Sequence, residues 1–185
     1  MLNNIAAFHP AAAALNSYES IQTVTVGGSP SSAITFTSIP STYKHLQIRG
    51  LLLNSSGQSN LAIQFNSDTG SNYSSHQVQG DGSSTAANAA STQTNMGLMG
   101  LVTNTSLYPF VTVIDILDYQ NTSKNKTIRG LSGQDGNASG TATNWRIQLS
   151  SGAWYNSSAV TSITIFVPTW TLGQYSSFAL YGIKG

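Results

Sequence analysis

No stretch of a dozen residues in this chain carries an apolar stripe at the 3.6-residue period of a helix. Short segments alternating at period two recur instead from Tyr18 onward. That period sends successive side chains to opposite faces of an extended strand, one toward a core and one toward water. Residues 19–26 (ESIQTVTV) alternate and stop at Gly27-Gly28-Ser29-Pro30, a strong turn signal. Residues 32–37 (SAITFT) follow, and residues 44–53 (KHLQIRGLLL) end in the continuous apolar run of a central buried strand. Further strands are expected at 61–65, 98–102, 110–119, 126–131, 145–149, 160–167 and 177–183.

Residues 79–97 (QGDGSSTAANAASTQTNMG) are poor in aromatic and β-branched aliphatic side chains and read as a long exposed loop. The fold expected is all-β: an antiparallel β-sandwich, jelly-roll-like, with a short irregular N-terminal arm. No linker divides two cores, so residues 18–185 form the β-sandwich domain and residues 1–17 the arm. The arm (MLNNIAAFHPAAAALNS) is Ala-rich and broken by Pro10. It reads either as a disordered terminus or as an attachment segment anchored on a neighbour by Leu2, Ile5, Phe8 and Leu15.

Charge limits the partners. Only 7% of the residues are charged, seven basic against six acidic, where an ordinary soluble domain has about 25%. Ser, Thr, Asn and Gln replace them and number 74. Nucleic acid binding needs clustered cations to displace counterions, so nucleic acid is not an expected partner. No apolar run approaches the roughly 18 residues of a membrane span, and no signal-peptide pattern opens the chain. Membrane insertion is not expected, and synthesis in a cytoplasm is.

Groups able to do chemistry are few. With no cysteine, neither a disulfide nor a thiolate metal site can form. Asp115 and Asp118, the closest acids in sequence, are three apart and point to opposite faces of a strand unless a bulge intervenes. Gly-x-Ser-x-Gly is absent, and three dispersed histidines make no metal centre. A calcium ion at the turn around Asp68, or at residues 133–136, competes with an ordinary Asx-turn. No catalytic residue, metal ligand or cofactor is therefore assigned. The aromatic residues Trp154, Tyr155, Trp170 and Tyr175 fall near strand ends. They are candidate contacts for a ligand or a subunit, set against the alternative that they fill the ends of the core.

The runs SYESIQTVTVGG, FNSDTGSNYSSHQVQGDGS, VIDILDYQNTSKNKTIRGLSG and QYSSFALYGIKG resemble a recurrent family of small tailed-bacteriophage proteins, over about residues 17–185. The resemblance implies a non-enzymatic virion structural protein, with no catalytic residues to carry over. A tail-fibre or baseplate subunit displayed for host-surface adhesion is the first expectation. A capsid decoration (cement) protein is the alternative, and a carbohydrate-binding module the second alternative. The expected partners are other virion proteins through the arm, further copies in a homo-oligomer (a trimer being one option), and a host-surface glycan. The expected location is the virion surface, on tail or capsid.

Overall fold

The computed structural model describes residues 17–103, 108–136 and 145–185. Thirteen strands and no helix occur among the described residues. They are β1 (Tyr18–Thr25), β2 (Ala33–Phe36), β3 (His45–Leu52), β4 (Gln58–Asn60), β5 (Ala62–Phe65), β6 (Tyr73–Gly80) and β7 (Thr85–Gln93). The remainder are β8 (Leu101–Thr103), β9 (Phe110–Ile116), β10 (Lys126–Gln134), β11 (Arg146–Trp154), β12 (Ile163–Phe166) and β13 (Ser177–Ile183). Every pairing between them is antiparallel.

Eight strands form one sheet in the order β1-β13-β3-β9-β10-β11-β6-β7, and β2-β12-β5 form a second. The inward phases of the two interleave in one core. Leu46, Ile48, Ile114, Ile128 and Phe178 come from the large sheet, and Phe36, Ile63, Phe65, Ile163 and Ile165 from the small one. That is a two-layer sandwich. Its layers are unequal, so the topology does not establish the jelly-roll arrangement. The KHLQIRGLLL run becomes β3, between β13 and β9 in the large sheet.

Three strands cannot cover eight. Where the small sheet ends, residues 94–103 lie under β10, β11 and β6, and the contacts change from apolar to amide. Gln148 accepts the Leu101 N–H at 2.5 Å and donates to Gln77 at 2.7 Å. Gln134 accepts from both the backbone and the hydroxyl of Thr103 at 3.0 Å. Met96 bridges to Ile63 on the far side, so this segment also covers the outer edge of β5.

The expected loop at 79–97 is corrected: it contains β7, nine residues paired with β6 from Gly80↔Thr85 to Tyr73↔Gln93. The reason is local. The Asp81 carboxylate accepts the N–H groups of Ser83 and Ser84 at 2.9 and 2.7 Å, closing a hairpin at Asp81-Gly82. Backbone pairing to β6 then holds a segment whose side chains have little affinity for a sheet. The arm anchors Leu2, Ile5, Phe8 and Leu15 lie outside the described residues. Ser17 is tied to the body, its carbonyl accepting the Lys184 N–H at 3.1 Å.

Candidate functional site

The four aromatic candidates do not gather. Trp154 is 1% exposed, which corrects its reading as a ligand contact. Its indole packs edge-on to Phe65 and nearly parallel to Tyr73, and its Nε1 donates to Asp68 Oδ2 at 2.7 Å. Trp154 is thus a core residue whose polar edge is satisfied. Tyr155, just past the end of β11, is 57% exposed and shares a hydrogen bond with Ser74. Trp170 and Tyr175 precede β13, and the antiparallel register puts the start of β13 at the opposite end of the sheet from Tyr155. Trp170 lies over Gly57, where a Cβ would come within 2.5 Å of the indole nitrogen at a backbone φ of +58°. Only glycine fits beneath that ring.

The acids are held by structural partners. Asp68 accepts from Trp154, Asn72 and the Gly70 N–H, which together keep its carboxyl below the usual range. Its Oδ1 closes an Asx-turn on the Gly70 N–H, the alternative to a calcium site, and its Oδ2 accepts from Trp154 and Asn72. Asp118 is bridged by Lys124 at 2.9 Å and Lys44 at 3.1 Å, and those cations bring its pKa down to about 2. Burial pushes Asp115 up, but hydrogen bonds from Gln47 and Arg129 outweigh it and leave the carboxyl below its ordinary value. Asp115 stands on the outer face of β9 and Asp118 in the turn beyond it, so the two share no site. No group of three His, Asp or Glu side chains suited to a metal occurs among the described residues. Ser151 and His76 stand opposite each other across β11 and β6, but the acid of that row, Asp115, is two strands away and bonded to Arg129. Among the described residues of this row, no carboxylate stands beside His76 to orient it as a base.

What the fold does assemble is an open apolar face. The outward phase of the large sheet aligns Val113, Leu131, Leu149, Val78 and Ala87 in one row across β9, β10, β11, β6 and β7. A second row runs Leu51, Val111, Gly133, Ile147 and Gly80. Val78, Val111, Leu131, Leu149 and Ile147 are 49–62% exposed. A contiguous apolar face of this kind is uncommon on a monomer and marks a contact surface. It is also hollowed. One depression of about 840 Å³ lies toward the turn of Leu117, Asp118 and Lys124, and another of about 790 Å³ toward Asp81, Pro109 and Trp145. At its margin Arg129 pairs with Asp115, and Lys124 and Lys44 with Asp118, while Asp81, Asp135 and Arg146 border the second depression, so charges of both signs rim an uncharged aliphatic floor. Its floor is branched aliphatic, which suits protein surface better than sugar rings.

From sequence, Val111, Val113, Leu131, Ile147 and Leu149 fall in expected strands without an assigned face, Val78 in no strand and Ala87 in a loop, so the trough was missed. The available signal was apolar side chains in both phases of one strand. In β9, Val111 and Val113 alternate with Phe110, Ile114 and Ile116. No family model matches the chain, and neither a curated protein nor a solved structure matches it.

Proposed function

We propose that this chain is a non-enzymatic structural subunit of a bacteriophage particle, in its tail fibre or baseplate, displayed for contact with the host surface. It acts as a homo-oligomer and joins other virion proteins through residues 1–17. The observation that carries the reading is the open aliphatic trough on a domain with almost no free charge. Such a surface is built for protein contact and gives soluble polyions little to hold. The resemblance of residues 17–185 to small tailed-phage proteins supports the same reading. Host contact through a glycan would fall to Trp170 and Tyr175, which share one end of the sandwich and are 40% and 67% exposed.

The second reading, a capsid decoration protein, is favoured by the scatter of the aromatics, since Trp154 is buried and Tyr155 sits at the far end. Localisation of the protein in intact particles by cryo-electron microscopy tests both. Density at the distal tail supports adhesion, and density repeated over the capsid lattice supports decoration. Absence from the particle overturns the virion reading altogether.

A further inference from the structure

Among the described residues, β7 is the terminal strand of the eight-stranded sheet and pairs only with β6. Eight of its nine residues are exposed, on both faces, so neither the small sheet nor residues 94–103 cover it. Natural sheets blunt such edges with charges, proline, bulges, short length or a covering segment. The other edges here are blunted. β1 has a bulge between Ser20 and Gln22, a Glu19–Lys184 ion pair, and Ile21 and Val24 packed on the core. β2 and β5 are four residues long, and Met96 bridges to β5. β7 has none of these along its length; its one irregularity is at its end, beside Thr92. No Lys, Arg, Asp, Glu or His occurs from Gly82 through Ile114.

We infer that β7 joins two copies of this chain by pairing antiparallel with itself about a two-fold axis, so that the two large sheets become one. A second copy fits for three reasons. An isologous contact needs only one surface, and this one meets its own image without like charges. The side chains of Thr85–Gln93 are Ala, Ser, Thr, Asn and Gln, which tolerate partial solvation on both faces of a continued sheet. Nine residues at about 3.4 Å each offer an unpaired edge about 30 Å long. The Val113–Leu131–Leu149–Val78–Ala87 row would run on across the axis into its symmetry mate. This rests on the self-association proposed above and adds the surface that carries it.

The chain lacks cysteine, so single substitutions in the full-length protein report on pairing directly. Single cysteines at each position from Thr85 through Gln93 are compared under mild oxidation, alongside the mass of the untagged protein by sedimentation equilibrium. In antiparallel self-pairing, one step along the strand moves the two copies of a residue apart by about two residues, or roughly 7 Å. A disulfide needs Cα atoms within about 4.4–6.8 Å. The expected result is an even-numbered oligomer with cross-linking concentrated at one or two adjacent positions. A monomer overturns both self-association and this inference. An oligomer that cross-links at none of the nine positions, or equally at all, overturns the β7 contact and leaves self-association standing.

Discussion

Asp68 is a surface-turn residue that secures the core from outside. It accepts the Trp154 indole N–H, the Asn72 amide and the Gly70 backbone, while the Tyr73 hydroxyl donates to its carbonyl at 3.0 Å. Asp68→Ala leaves the buried Trp154 N–H without its partner. It is expected to cost about 2–3 kcal/mol, read as a lower urea midpoint at unchanged slope. The pH dependence follows from the depressed carboxyl. The stability it supplies is present above the unfolded carboxylate pKa and is lost as pH falls through the lower folded value. Asp68→Asn should remove that part of the acid-side loss, which urea titrations at neutral and acid pH compare. The inward hydroxyl of Ser150 is the opposite case, buried without a hydrogen-bond partner. Ser150→Ala is expected to change stability by less than about 0.5 kcal/mol in either direction, and a loss above about 1 kcal/mol would contradict that account.

Between elements, side chains set the spacing of the large sheet as much as its ladders do. Phe178 on β13 lies opposite Gly50 on β3, and a Cβ on Gly50 would approach the ring to 2.3 Å. Gly50→Ala is therefore an overpacking change, expected to lower thermal stability by about 1–3 kcal/mol, and Phe178→Leu in the same chain should restore part of it. β13 was legible in sequence at its observed bounds and β3 within a residue of them, because β-branched and aliphatic residues alternate there. β6 and β7 were not, because their strand character lies in backbone pairing and amide contacts. Gln77 and Gln148 bond each other inside the protein, where a pattern of apolar residues gives no sign of burial. The Asp81-Gly82 turn was the one cue to this hairpin, and the alanines after it concealed what it joined. Trp154 shows a related limit: its place near a strand end left contact and core packing both open, and burial against Phe65 and Tyr73 decides for the core. The trough needed strand order as well, since its rows exist only once β9, β10, β11 and β6 are adjacent.

For the molecule as a whole, the body is expected to fold without residues 1–16. Among the described residues, the first tie to the domain is the Ser17 carbonyl on Lys184. Deleting residues 1–16 should leave a single cooperative melting transition and abolish incorporation into particles. Calorimetry and particle composition check the two halves, and loss of cooperativity would mean that the segment belongs to the core. The same region closes the sheet: β1 pairs with β13, and β13 also completes one side of β3. Of the described strands, β1 and β3 thus both wait for β13, the last in chain order. On the ribosome, His45–Leu52 emerges before either of its neighbours; Phe110–Ile116 later fills one flank, and the other stays vacant until Ser177–Ile183 has left the exit tunnel. A nascent chain stalled before that point holds an apolar sheet centre open to other nascent chains, an exposure that ends only when β13 docks.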